Sequence, residues 1–184
     1  MKLDPLNIVL NQDFKLNKKF YFISGNEKSF IEKIKTKIIE EYKVNKNIST
    51  SSINSVSDYV DGVGLFEDKK IISINNCAKI NEEGLDKLRN SSDIFLFSQE
   101  NSPKIKKIKN IFLKDKDSYL IDCYELDKNS KIKIINKFIQ SSGLSIKDDL
   151  YWFIVEKLDN KYGFLEDDLN KIFSLEQSDI MLFN

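Results

Sequence analysis

The chain has 184 residues, enough for one ordinary domain and the start of a second, and its 29 basic and 29 acidic residues balance to a formal charge of zero. It contains no histidine, and its two cysteines, Cys77 and Cys123, are isolated, which excludes a catalytic triad, a Cys–His nucleophile and zinc-ligand spacing. No apolar run approaches the roughly 18 residues of a membrane span, so we expect a cytoplasmic protein with no membrane partner.

Strand patterns alternate with helical patterns through about the first 140 residues. The run over 19–24 is aromatic and β-prone, and Gly25 and Asn26 follow it as a tight turn. The stretch after this turn has apolar residues at helical spacing. In chain order the patterns predict strands over 19–24, 47–51, 70–75, 93–98 and 118–124, and helices over 29–42, 55–61, 82–90, 103–113 and 128–141.

Continuous apolar strands, each separated from the next by a helix, are typical of a parallel sheet that helices cover on both faces. We therefore predict a doubly wound α/β domain over 1–141. After Gly143 the period stays helical, with two amphipathic helices over 146–158 and 164–173 around a turn at 161–163, and we assign 142–184 to a small all-helical domain. The apolar tail without a helix cap suggests that this second domain is cut short relative to a longer parent.

The first strand-turn-helix can be compared with a phosphate-binding P-loop, because Lys28 and Ser29 follow a strand and open a helix. Aligned on Lys28, the two required glycines fall on Phe22 and Glu27. The glutamate also adds negative charge where phosphate would bind. We therefore predict a degenerate P-loop, made of Gly25, Asn26, Glu27, Lys28 and Ser29.

A nucleotide-hydrolysing site would also need a carboxylate to hold Mg²⁺. The strand that ends at Ile74 is followed by Asn75 and Asn76 rather than by an acidic pair. The adjacent pairs of aspartates in the last third of the chain point in different directions on a helix, and we interpret them as solvated faces. The sequence thus predicts the fold of a nucleotide-binding ATPase with no catalytic residue, no cofactor and no metal site.

Leu65 and Phe66 stand in a predicted loop, between two glycines and an acidic pair. Large apolar side chains are unusual at a loop tip, because leaving them in water forfeits about 1.5–3 kcal/mol each. Either the two side chains fold back onto their own core, or they enter a pocket on another protein. The local sequence leaves both interpretations open.

These motifs together resemble the delta subunit family of bacterial DNA polymerase III, a component of the loader of the sliding clamp. The resemblance covers nearly the whole chain and depends on the order and spacing of its parts. It is carried by the segment 20–27 before a helix, the segment 64–72, the strand over 93–97, Leu126-Asp127-Lys128 with Lys131, and the helices of 146–173, which look like the start of the family's helical lid.

The resemblance implies an AAA+ (P-loop NTPase-like) fold that does not bind ATP, in a noncatalytic subunit of a DNA-directed DNA polymerase complex that works in DNA replication. It implies that Leu65 and Phe66 enter the hydrophobic pocket of the sliding clamp, the beta subunit, and help to open it. The usual serine before the pair is Gly64 here, which makes the loop looser. The implied partners are the clamp, the gamma/tau and delta prime loader subunits and, indirectly, primed DNA. Nothing matches the family's C-terminal collar domain.

Two other functions stay open. One is a degenerate P-loop enzyme that still uses Lys28 and Ser29 on a nucleotide, and the other is an α/β interaction module with a different target. The lysines of the segment 104–109 would contact DNA or form a solvated helix face, and we favour the solvated face because no aromatic stacking residue is interleaved.

Overall fold

A computed structural model describes residues 1–11, 14–45, 48–60, 69–77 and 80–174. The chain divides into two compact units, Met1–Tyr124 and Glu125–Asn184. The first unit is an α/β unit, and the described part of the second is entirely helical. In the described residues no helix is both long and apolar enough to cross a bilayer.

The first unit contains a six-stranded sheet in which every pairing is parallel, as the sequence predicts. The strands lie in the order β1-β6-β2-β5-β4-β3. Their bounds are β1 Lys2–Leu3, β2 Phe20–Gly25, β3 Ser49–Ile53, β4 Lys70–Ile74, β5 Ile94–Glu100 and β6 Ser118–Cys123.

Four described helices belong to the α/β unit: α1 Pro5–Leu10, α2 Lys28–Asn45, α3 Glu82–Arg89 and α4 Ile105–Lys114. The second unit contains α5 Lys128–Ser142, α6 Asp148–Lys157 and α7 Tyr162–Ser174. The domain boundary was expected after residue 141, whereas the division into units falls after Tyr124. Helix α5 contacts α6 and α7, so it belongs to the second unit.

Two elements at the start of the chain have no counterpart among the predicted ones. Strand β1 has two residues, too few for an alternating pattern, and it forms only by pairing with β6. Helix α1 has six residues, and Asp4 caps it by accepting a hydrogen bond from the Leu6 amide at 2.9 Å, with Pro5 at its first position.

The helix predicted over 55–61 is reduced to one 3₁₀ turn, Val56–Asp58. Tyr59 already has extended backbone angles, and its ring packs edge-on against Phe95 with 5.2 Å between centroids. Because of this packing, the chain does not continue as a helix after the 3₁₀ turn.

The predicted turn at 161–163 is also wrong, because α7 begins at Tyr162, whose side chain is buried.

The centre of the sheet is strand β2, in which all six residues are buried. On one face Phe20 and Phe22 join a core cluster with aromatic rings of β5 and α4, and Phe22 stacks on Phe112 with 4.7 Å between ring centroids. Helix α2 contacts β2, and its Ile34 and Ile38 are fully buried. A strand buried on both faces explains why its sequence is continuously apolar.

The second unit contains a buried lysine that the periodicity did not single out. Lys131 is 5% exposed, and its Nζ donates to the Leu158 carbonyl at 2.6 Å and to Asn160 Oδ1 at 3.1 Å. Burial lowers the pKa of this ammonium. Lys131 therefore connects α5 to the chain that follows α6.

Strand β2 ends at Gly25, where the backbone comes so close to β6 that no side chain fits. A Cβ atom at residue 25 would lie 1.6 Å from the carbonyl oxygen of Cys123. This contact involves backbone on both sides, so a change of rotamer cannot relieve it. Glycine is thus required at this position by the spacing of the two strands.

We expect Gly25→Ala to lower the free energy of unfolding by about 3 kcal/mol or more, because the two backbones must separate. Urea unfolding followed by circular dichroism measures this. Gly143→Ala is the control: Gly143 has a left-handed φ of 66°, but no atom lies within 4 Å of the added Cβ, so a cost of about 1 kcal/mol is expected. A Gly25→Ala variant as stable as the control would contradict the prediction.

Candidate functional site

The degenerate P-loop lies at the carboxyl edge of the sheet, where β2 turns into α2. The turn is fastened to its neighbours by backbone hydrogen bonds: the Glu27 amide donates to the Cys123 carbonyl at 3.3 Å, and the Asn101 amide donates to the Gly25 carbonyl at 2.9 Å. These bonds place the turn beside the ends of β5 and β6. The structure thus brings the five predicted P-loop residues together as one turn and helix start.

Glu27 folds its own carboxylate over the start of α2. The carboxylate accepts hydrogen bonds from the Ser29 amide at 3.2 Å, from the Phe30 amide at 2.7 Å and from the Ser29 hydroxyl at 2.8 Å. Glu27 is 5% exposed. The free amides of a helix start are the groups that bind phosphate in nucleotide-binding loops, and here an internal anion uses two of them.

The other groups of a nucleotide site are also directed elsewhere. Lys28 is largely exposed, and its Nζ lies 3.8 Å from a carboxylate oxygen of Glu100. Asn75, which follows β4 where a magnesium ligand would stand, uses its side-chain amide to donate to Ser52 Oγ at 3.0 Å. In the part of the chain that the structure describes, no group of three or more acidic or cysteine side chains could hold a metal ion.

A partly buried ion pair lies next to this turn. Asp122 on β6 accepts from Lys109 Nζ at 2.7 Å and from Lys2 Nζ at 3.0 Å, and the buried Ser24 hydroxyl donates to it at 3.3 Å. Burial opposes the charge on Asp122, but the hydrogen bonds from the two lysines outweigh it and lower the pKa of the carboxyl. Lys109 Nζ also donates to the Tyr124 hydroxyl at 3.1 Å.

The two cysteines are buried and do not form a disulfide. Burial raises the pKa of the Cys77 thiol to about 12 and raises that of Cys123 as well. Both thiols are therefore protonated at neutral pH, and neither has the properties of a nucleophile.

The predicted partner-binding residues Gly64, Leu65 and Phe66 lie outside the described residues. The structure describes the chain on both sides of them, up to Val60 and again from Lys69. Tyr59 is half-buried, whereas the next residue, Val60, is 85% exposed. The described chain thus stops at an exposed residue, and β4 begins at Lys70 on the other side of the gap.

Asp93, just before β5, contacts both sides of this segment. Its Oδ2 accepts from the Tyr59 hydroxyl at 3.0 Å, and its Oδ1 accepts from the Lys70 amide at 2.8 Å. Because all strands run parallel, the starts of β4 and β5 lie on the same edge of the sheet, the amino edge. The degenerate P-loop lies on the carboxyl edge.

Hydrogen bonds and ion pairs of two basic side chains connect neighbouring segments on the amino edge. Lys19 Nζ donates to the carbonyls of Arg89 and Ser91. The guanidinium of Arg89 forms ion pairs with Asp115 and, at 3.0 Å, with Asp117. The hydrogen bonds that the guanidinium donates to the carboxylates of Asp86 and Asp115 raise the pKa of Arg89. The beginnings of β2, β5 and β6 are thus connected.

The sequence analysis does not predict the hydrogen-bonding roles of two residues of these sites. Glu27 was read only as an unfavourable charge in a phosphate loop, although a polar residue directly before a helix is also a capping signal. Asp93 was read as the first residue of a strand. A buried carboxylate before a strand carries no periodic signal, and its partner Tyr59 is 34 residues away.

No protein-family model matches the chain, and no curated protein matches it. Among solved structures the Bacillus subtilis DNA clamp loader delta protein (YqeN) is similar, with a TM-score of 0.55 and 12% identity over 85% of this chain and 53% of that protein. Domain III of the Thermotoga maritima replication initiation protein DnaA has a TM-score of 0.41 at 12% identity, over 93% of this chain and 79% of the other. The Thermotoga maritima RuvB Holliday junction branch migration motor has a TM-score of 0.43 at 10% identity, over 88% of this chain and 59% of the other.

The likeness to the delta protein confirms the fold class: a parallel-sheet α/β unit of the AAA+ type followed by a helical unit. The chain spans about half the length of the delta protein that it matches. At this identity the likeness concerns the fold.

We expect Glu27→Ala to lower the free energy of unfolding by about 1–2 kcal/mol, because two amides at the start of α2 lose their acceptor. Glu27→Gln keeps one acceptor oxygen and should cost less. Glu100→Ala is the control, since it removes only the exposed ion pair with Lys28 and should change stability by less than about 0.5 kcal/mol.

ATP with Mg²⁺ should leave the melting temperature of the unmodified protein unchanged, and a saturable rise would contradict this.

The ion pairs of Asp122 predict a pH dependence of stability. A carboxyl whose pKa is lowered on folding stabilises the protein above its unfolded value, near 3.8, and loses this contribution as the pH falls through the folded value. We expect Asp122→Asn to be less stable than the unmodified protein by about 1–3 kcal/mol at pH 7, and the difference to narrow below about pH 4. Urea titrations at several pH values test this, and a difference that stays constant into strong acid would contradict it.

Proposed function

We propose that this chain is a noncatalytic subunit of a bacterial clamp loader, of the delta type, and that it binds the sliding clamp through Leu65 and Phe66. The observation that carries the proposal is the likeness in fold to a clamp loader delta protein along most of the chain. The sequence motifs described above point to the same family independently of that likeness.

The carboxyl edge of the sheet supports a subunit without nucleotide chemistry. An incoming phosphate would have to displace the Glu27 carboxylate from the amides of Ser29 and Phe30, or else approach its negative charge. The amide of Asn75 stands in place of a magnesium ligand. These observations count against the alternative of a degenerate P-loop enzyme, and energy for clamp opening would come from sibling subunits that hydrolyse ATP.

The amino edge supports a docking role for the segment 61–68. Both of its flanks are anchored on the sheet through Asp93, so an apolar pair within the segment is presented from a fixed base. Burying one leucine and one phenylalanine in a preformed apolar pocket supplies several kcal/mol before the cost of association, which is typical of a binding hot spot. The charged residues that follow the pair would act on orientation and association rate.

In this proposal the helices α5 to α7 correspond to the beginning of the family's lid. The partners are the beta clamp, the gamma/tau and delta prime subunits and, through the clamp, primed DNA, all in the cytoplasm. A protein that acts by binding alone needs no cofactor.

We expect Leu65→Ala combined with Phe66→Ala to raise the Kd for the clamp of the same organism by about 100-fold or more, because both apolar anchors are removed. Isothermal titration calorimetry measures the Kd. Circular dichroism should be unchanged.

The matched control removes a leucine and a phenylalanine elsewhere. Leu113 and Phe164 are 44% and 58% exposed, and Leu113→Ala with Phe164→Ala should leave the Kd within about twofold. The proposal is wrong if the chain does not bind the clamp, or if the double variant at 65 and 66 binds as tightly as the control.

A further inference from the structure

We propose that Asp93 is a positioning residue for clamp binding: its carboxylate holds both flanks of the docking segment, through Tyr59 and Lys70, and so sets the affinity without contacting the clamp. This inference rests on the proposed function. The site itself consists of Asp93, Tyr59 and Lys70, all of which the structure describes.

The first step of the argument is the geometry of one side chain. Each carboxylate oxygen of Asp93 accepts from a different flank, the Tyr59 hydroxyl at 3.0 Å and the Lys70 amide at 2.8 Å. Eleven positions of sequence separate these two donors, and the one carboxylate brings them together. Hydrogen bonds to a charged acceptor are stronger than neutral ones, so both connections persist in the folded protein.

The second step is the rigidity of the base. Asp93 is buried, and its amide donates to Ser91 Oγ at 3.1 Å. The carbonyl of Ser91 accepts from Lys19 Nζ, and the Lys19 carbonyl accepts from the Phe95 amide at 2.9 Å. Asp93 is thus fixed to the beginnings of β2, in which every residue is buried, and of β5, in which the first four residues are buried.

The third step is that Tyr59 has two separable roles. Its ring packs on Phe95, which a phenylalanine would also do, whereas only its hydroxyl reaches Asp93. The residue after it, Val60, is almost fully exposed. Tyr59→Phe therefore removes the connection and leaves the packing.

The physical consequence is preorganisation. A segment with both ends fixed loses less conformational freedom when it docks than one whose flanks move independently. Removing the connection should therefore weaken binding even though Leu65 and Phe66 are unchanged. A residue that only stabilises the fold would lower the melting temperature without this effect on affinity.

The experiment measures the Kd for the clamp and the melting temperature of four single variants. Asp93→Ala removes both connections and should raise the Kd about 10-fold, and Tyr59→Phe removes one and should raise it about threefold with little change in melting temperature. Asp93→Asn should bind nearly as well as the unmodified protein, because its amide oxygen still accepts from Lys70 and its amide nitrogen can donate to the Tyr59 hydroxyl.

Asp115→Ala is the matched control. Asp115 is another buried carboxylate on the amino edge. It accepts from the Asp117 amide at 2.8 Å, from the Ser118 hydroxyl at 2.9 Å and from the guanidinium of Arg89, and it does not contact Tyr59 or Lys70 in the hydrogen bonds described. Its removal should lower the melting temperature about as much as Asp93→Ala does, and it should leave the Kd within about twofold. Hydrogen exchange of the Lys70 amide in the free protein should accelerate in Asp93→Ala and not in Asp115→Ala.

The outcomes separate the two proposals. If Leu65→Ala with Phe66→Ala fails to weaken binding, the proposed function is wrong. If that variant weakens binding but Asp93→Ala and Tyr59→Phe keep the affinity of the Asp115→Ala control, the positioning role is wrong and Asp93 is structural only. Should Asp93→Ala fail to fold, Tyr59→Phe decides, because an unchanged Kd in that variant overturns the inference.

Discussion

The burial of strand β2 on both faces is the constraint on which both candidate sites depend. Because β2 lies between β5 and β6 with no exposed residue, its two ends are fixed relative to both neighbours. At the carboxyl end, this spacing requires Gly25 against the Cys123 carbonyl and sets the direction in which α2 begins. At the amino end, it fixes Lys19, whose carbonyl and ammonium bind the start of β5 and the residues before it.

At the carboxyl edge, an internal anion accepts hydrogen bonds from amides of a helix start, which are groups that could otherwise bind phosphate. Replacing a glycine of a phosphate loop does not by itself fill the unpaired amides at the helix start, which water or an anion from solution could bind. Here Glu27 satisfies those of Ser29 and Phe30 within its own turn, and Asp122 is held by Lys109 beside it. An anion could bind the amides of this turn only by breaking the hydrogen bonds that Glu27 makes with them.

The sequence predicts the strands and most helices because these are long, apolar and regular. It misses β1 and α1, which are too short to show a period. It also predicts a helix where the structure has a single 3₁₀ turn, because the packing of Tyr59 against Phe95 is a tertiary contact that the local sequence does not reveal. It predicts the turn after β2 and the helix that follows, but not the cap that Glu27 forms at the start of that helix. It gives no sign of Asp93 as a site residue, since a single polar residue gains its role from partners distant in sequence. The exposure of Leu65 and Phe66 stays a prediction.

The parallel arrangement also explains why the two candidate sites lie at opposite edges of the sheet. The loops that follow strands gather at one edge and those that precede them at the other, so Glu27 and Asp93 act at opposite ends of the same strands. A change at residue 27 alters the start of α2 and does not touch the hydrogen bonds of Asp93. Packing of the central strands therefore fixes both edges of the sheet, with the turn at residue 27 at one end and the hydrogen bonds of Asp93 at the other.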